Sequence, residues 1–137
     1  MMVLDTSAVI AILRLEAEAD DFLHAIADSQ QCFISTVSTI ETAMVLAGRS
    51  GTVAAWAPLD EFLTSSQISV VSFDQDQVQC AREAFLRFGK GRHPAALNLG
   101  DCAAYALAMT HKLPLLFKGD DFSKTDVTVA LPRGATH

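Results

Sequence analysis

Apolar and polar positions along this chain switch repeatedly between two periods. Short apolar runs of two to five residues alternate with longer stretches in which apolar residues return every three or four positions. Val3-Leu4 reads as a short buried strand, and Asp5-Thr6-Ser7 then supplies capping side chains for a helix through Ala8-Val9-Ile10-Ala11-Ile12. Residues 16–27 carry Ala19, Phe22, Leu23 and Ile26 on one side, with Leu15 just before them, and Asp20, Asp21 and Asp28 on the other, which predicts a second helix. Cys32-Phe33-Ile34-Ser35 predicts a second strand, residues 37–49 a helix closed by Gly51, and residues 52–64 another helix. Residues 68–72 alternate as a third strand, and Asp74 caps a helix reaching about Phe88. A glycine-rich loop, 89–94, precedes a helix that opens at Asn98 and runs to about His111. Leu115-Leu116-Phe117 is a fourth strand, and residues 127–130 are expected to add a last one. Strands alternating with helices imply an α/β fold with a central parallel sheet covered on both faces. No linker or repeat interrupts the 137 residues, so one domain, 1–137, is expected.

Composition narrows the class. Half of the residues are hydrophobic, which fits a packed core and not a disordered chain. No apolar run approaches the ~18 residues of a membrane span, and the first fifteen residues lack a basic start with a cleavage site. A cytoplasmic protein with no membrane partner is expected. Cys32, Cys80 and Cys102 form no CxxC pair and read as reduced structural thiols, and the four histidines show no ligand spacing. Zinc chemistry is therefore unsupported. The net charge of −6 argues against a nucleic-acid binder unless two divalent cations offset it, since −6 + 4 = −2.

Acidic residues change the picture further. Asp5 follows the first strand, and Asp120 and Asp121 follow the fourth, at the carboxyl ends where ligands sit in such sheets. Glu41 falls on a helix stripe with Val37, Met44, Val45 and Gly48 and has no Lys or Arg within a turn. Asp101 stands three residues after Asn98, the capping-box position. Each has an ordinary explanation: capping for Asp5 and Asp101, a tilted helix for Glu41, a turn for Asp120-Asp121. Together they suggest an oxygen-rich site for a hard cation. Two carboxylates ~4 Å apart repel by about 4 kcal/mol at an effective dielectric near 20, a cost that Mg²⁺ or Mn²⁺ removes.

The chain resembles the PIN-domain ribonucleases, specifically the VapC toxins of type II toxin–antitoxin (VapBC) modules. The resemblance rests on Met2-Val3-Leu4-Asp5-Thr6-Ser7-Ala8, on Ser35-Thr36-Val37-Ser38-Thr39-Ile40-Glu41-Thr42-Ala43, on the run from Gly89 through Asn98-Leu99-Gly100-Asp101-Cys102, and on Pro114-Leu115-Leu116-Phe117-Lys118-Gly119-Asp120-Asp121-Phe122. It implies a three-layer α/β/α PIN fold and a Mg²⁺-dependent RNA endonuclease (Mn²⁺ as an alternative) that hydrolyses structured RNA of the tRNA or rRNA class. It also implies a cognate VapB-type antitoxin and a homodimer. Catalytic and metal-binding roles carry over to Asp5, Glu41 and Asp101. The fourth acid is Asp121, which precedes Phe122, with Asp120 as second choice. Thr6, Ser7 and Asn98 are expected to steady the ligands, and Lys90 and Arg92 to contact RNA phosphates.

Two expectations concern partners. An antitoxin would insert Arg or Lys among the carboxylates and lay an apolar helix near residues 13–26. Trp56, Phe62 and Leu63 are expected in the core rather than at a dimer contact. The competing readings are a phosphatase of the haloacid-dehalogenase type, a non-catalytic Mg²⁺-binding receiver-like module, and an inactive PIN interaction module. The first wants an Asp where Ser7 stands, and the second wants an acidic pair where Asp5 stands alone.

Overall fold

The computed structural model describes residues 1–131, so the last six positions of the expected domain lie outside the described residues. Four parallel strands form the sheet: β1 (Met2–Leu4), β2 (Cys32–Ser35), β3 (Ile68–Val71) and β4 (Leu115–Leu116). Six helices surround them: α1 (Thr6–Leu13), α2 (Ala19–Asp28), α3 (Thr36–Ser50), α4 (Ala57–Ser65), α5 (Gln75–Phe88) and α6 (Leu99–Thr110). The strand order is β3-β2-β1-β4. The chain builds outward from β1 to β3 and then crosses back to place β4 on the other side of β1. That reversal leaves a crevice at the carboxyl ends of β1 and β4. The order also differs from the 2-1-3-4-5 arrangement of a receiver-type sheet, so the receiver-like reading fails on topology.

Alternation along each strand divides the core in two, because successive side chains leave a strand on opposite faces. Met2, Leu4, Cys32, Ile34 and Leu116 point into one cluster with Val9, Ile12, Phe22, Ile26, Leu59 and Phe62 from α1, α2 and α4. Val3 and Leu115 point into the other with Ala84, Phe88, Tyr105 and Leu107 from α5 and α6, and Phe33 packs on it. The result is the expected α/β/α sandwich. Cys32 and Cys102 are buried, Cys80 is half-buried, and all three are free thiols.

Several local expectations change. Leu15 is exposed with a φ of 53°, so the chain turns there and α2 begins only at Ala19. Pro58 lies at the first turn of α4, where its missing N–H does no harm, and a separate 3-10 turn (Val53–Trp56) precedes it. The single helix expected over 52–64 is therefore two pieces. The last strand reduces to one bridge, Val129 beside Leu115, with Leu115 N–H donating to Thr128 and Ala130 N–H donating to Leu115. Phe62 is buried and Leu63 packs against the same cluster, whereas Trp56 is exposed and donates its ring N–H to the Ala43 carbonyl at 2.8 Å.

Candidate functional site

Asp5 ends β1 and caps α1. Its main-chain N–H donates to Leu116 on β4 at 2.9 Å, which fixes it over the crevice. Its Oδ2 accepts from the Ser7 N–H at 3.0 Å and the Ser7 hydroxyl at 2.6 Å. Its Oδ1 is buried and has no hydrogen-bond partner. An unsatisfied carboxylate oxygen in the interior is costly unless something else compensates it. Burial accordingly pushes the Asp5 carboxyl up to about 7; the Ser7 hydrogen bonds oppose this, and the charges of Asp101 and Glu41 add to it.

Glu41 lies on α3, but not on a core-facing stripe. Among the described side chains of α3, those buried completely are Ser38 and Thr42, while Ile40, Met44 and Val45 are exposed. This corrects the expectation that Glu41 interrupts a buried apolar face. Its Oε1 accepts the Thr6 hydroxyl at 2.6 Å, and the same hydroxyl lies 3.2 Å from the Ser38 carbonyl. The remaining oxygen leans toward the first turn of α6.

Asp101 occupies that turn. Asn98 Oδ1 accepts the Asp101 N–H at 2.9 Å and Asp101 Oδ2 accepts the Asn98 N–H at 3.0 Å, a complete capping box. Capping uses one oxygen and leaves the other for a ligand, so the two roles do not compete. Burial raises the Asp101 carboxyl; the Asn98 hydrogen bond offsets part of that, and Glu41 and Asp121 raise it further. Asp121 is therefore near enough for its charge to be felt at Asp101. Asp120 and Asp121 are both exposed, and their carbonyls accept the N–H groups of Ser123 and Lys124 at the short turn Phe122–Lys124.

Two fastenings hold the loop that carries these acids, and the sequence pointed to neither. At its start the Lys118 N–H donates to the Ser7 hydroxyl at 2.9 Å, and the Lys118 ammonium sits 2.8 Å from Glu16 and 3.4 Å from Glu18. At its end Asp126 accepts from the Tyr105 hydroxyl at 2.5 Å and from Arg87 at 3.2 Å. Burial alone would raise the Asp126 carboxyl, but the Tyr105 hydrogen bond and Arg87 together hold it below the usual range. Tyr105 gave itself away only as a hydroxyl inside the apolar stretch of α6.

Lys90 and Arg92 are exposed on the loop between α5 and α6, and Arg92 donates to the Leu86 carbonyl at 3.2 Å. Asp5 thus feels the charges of Asp101 and Glu41, and Asp101 feels those of Glu41 and Asp121. These acids do not close on a single point: among the described residues, no three acidic, imidazole or thiol side chains are close enough together to ligate one ion directly. The donor set still fits a hard divalent cation. All the oxygens are carboxylate, one is buried without a partner, and Mg²⁺ retains several waters that span the gaps between ligands.

Residues 2–127 match the family model described as PIN domain. The chain is 47% identical over 126 residues to the ribonuclease VapC of Mycolicibacterium smegmatis, covering 92% of this chain and 97% of that protein. It is 45% identical over 132 residues to ribonuclease VapC30 of Mycobacterium tuberculosis, covering 96% and 100%. Among solved structures it is similar to Mycobacterium tuberculosis VapC20, described as a sarcin–ricin loop cleaving toxin, with a TM-score of 0.73 at 19% identity over 93% of this chain and 97% of that one. A toxin–antitoxin complex from Klebsiella pneumoniae gives 0.70 at 22% identity over 94% and 96%.

Proposed function

The chain belongs to the PIN-domain family, among its VapC ribonucleases, and from that premise we propose that Asp5, Glu41, Asp101 and Asp121 form a divalent-cation site that cleaves RNA. The protein is an endoribonuclease, the toxin of a VapBC pair, and its partner is a VapB-type antitoxin. Mg²⁺ is the cation this reading assigns, with Mn²⁺ as its substitute, because carboxylate oxygens and retained water suit both. The observation that carries the reading is the buried, unpartnered Oδ1 of Asp5, on a carboxylate that feels the charges of two more acids, Asp101 and Glu41.

A divalent cation at this place supplies Lewis acidity and offsets charge on the scissile phosphate. The side chains do the rest. Ser7 holds Asp5 in one rotamer, Thr6 aims Glu41, and Asn98 locks Asp101, so the ligands are set before substrate arrives. Lys90 and Arg92 are the residues assigned to backbone phosphates, since both are cationic and exposed beside the run that leads to Asp101. The substrate class is structured cellular RNA, and the compartment is the cytoplasm, where such RNA is found. No helix among the described residues is long and apolar enough to cross a membrane. Exposed Ile40, Met44, Leu86 and Leu99 offer apolar area for the antitoxin or for a second copy in a homodimer, and the carboxylates suit an antitoxin Arg or Lys.

The test is Asp5→Asn, which keeps the shape and removes the charge. Cleavage of RNA should stop in the variant, and EDTA should stop it in the parent. Cleavage that survives both treatments rules the proposal out.

A further inference from the structure

We infer that Gly100 is a positioning residue: the missing side chain at the start of α6 is the seat in which the Glu41 carboxylate rests. This rests on the cation-site reading and adds a determinant to it. A methyl group built on Gly100 would overlap Glu41 Oε2 first, then Oε1 and the carboxyl carbon. Nothing else explains a glycine here. Gly100 is helical, and among the described residues the glycines with positive φ are Gly51, Gly91 and Gly119. An alanine would suit the backbone better, since glycine in a helix carries an entropic penalty. Gly100 is buried and Glu41 half-buried, so the seat is covered on the glycine side.

The seat has a second wall. Thr6 holds Oε1 from α1 at 2.6 Å, so the carboxylate is caught between a hydroxyl on one helix and bare backbone on another. Asp101, the next residue along α6, is locked by Asn98 and does not yield. An added methyl would thus move the Glu41 carboxylate, the far end of a flexible side chain, and leave the helix in place. Gly48 on α3 is the natural control, because a methyl there meets open space.

The experiment uses the full chain with Gly100→Ala, Gly48→Ala and Glu41→Gln, and then Gly100→Ala combined with Glu41→Asp. Gly100→Ala should keep the melting temperature of the parent while kcat falls roughly 10- to 100-fold at unchanged KM for RNA, as expected when a ligand is misplaced by about an ångström. Calorimetric titration with Mn²⁺, without RNA, should show weakened affinity in Gly100→Ala and parental affinity in Gly48→Ala. In the Glu41→Asp background, whose acid is one methylene shorter, the added methyl should change Mn²⁺ affinity far less. Parental kcat and Mn²⁺ affinity in Gly100→Ala overturn the inference, and so does an equal loss in both backgrounds. A large fall in its melting temperature also overturns it, because the helix and not the carboxylate would then have moved. If Glu41→Gln cleaves RNA like the parent, the cation-site reading fails along with the inference. Loss of activity in Glu41→Gln with none in Gly100→Ala sinks the inference alone.

Discussion

The starts of α1 and α5 are built alike and behave differently. Each follows a strand and opens with an aspartate N-cap. Asp74 Oδ1 accepts the Gln77 N–H at 2.9 Å, and Asp5 Oδ2 accepts the Ser7 N–H at 3.0 Å. Asp74 is exposed, so water serves the oxygen the helix does not use. Asp5 is 3% exposed, and its second oxygen has no hydrogen bond. Helix capping explains the whole of one carboxylate and half of the other. The unexplained half is the oxygen that the proposed cation would use.

The largest expected effect breaks the pair apart. Asp5→Asn should lower kcat by about 10³-fold or more, ~4 kcal/mol of transition-state stabilisation, in a gel or fluorescence assay of RNA cleavage. Asp74→Asn should leave cleavage unchanged and shift stability by no more than ~0.5 kcal/mol, since asparagine also caps well. Equal losses in the two variants would mean that the caps do not differ.

The difference should also be visible in stability without substrate. Folding raises the Asp5 carboxyl from 3.8 to about 7, so the native state favours the protonated form. Its contribution is fully present below pH 3.8 and is lost as pH rises through about 7, by up to ~4 kcal/mol. In EDTA at pH 8, Asp5→Asn should therefore be more stable to urea than the parent, and the advantage should fade toward pH 4. Asp74→Asn should show no such crossover. Mg²⁺ or Mn²⁺ should restore the parent at pH 8 and not the Asp5 variant.

Smaller effects concern the loop that brings Asp121 to Asp101. Tyr105→Phe removes the hydroxyl donated to Asp126 and should cost about 1–2 kcal/mol in denaturant unfolding. Lys118→Met removes the ion pairs at the start of the same loop and keeps the main-chain hydrogen bond to Ser7. It should change stability marginally, because the ion pairs are partly exposed, but weaken Mn²⁺ binding a few-fold, with Lys118→Arg retaining affinity.

Much of this arrangement was legible in the residues. Cys32–Ser35 is the second strand as its pattern predicts, and α3 ends at Gly51 in the left-handed conformation that glycine favours. Asp5 and Asp101 stood out because carboxylates occupied a strand end and a helix start, and Glu41 because it fell on a stripe expected to be apolar, which the fold does not bury. The sequence was misleading where local pattern and tertiary packing disagree. Residues 127–130 have strand composition, but they form only a single bridge, Val129 beside Leu115, because β4 is two residues long. Leu15 looked like part of an apolar face and is spent on a turn. Gly100 was invisible for a different reason: its role is the space it leaves for a residue 59 positions away, and no local pattern encodes that.

The Lys118–Ser7 hydrogen bond joins residues 111 positions apart, and Ser7 in turn donates to Asp5. The order of synthesis gives that span a meaning. The ribosome makes Asp5 first, but its surroundings are complete only after the fourth strand has emerged and docked beside the first. Asp5 and Glu41 emerge well before Asp101 and Asp121, so a protein that attacks RNA stays unarmed until the fourth strand and the loop after it have been made.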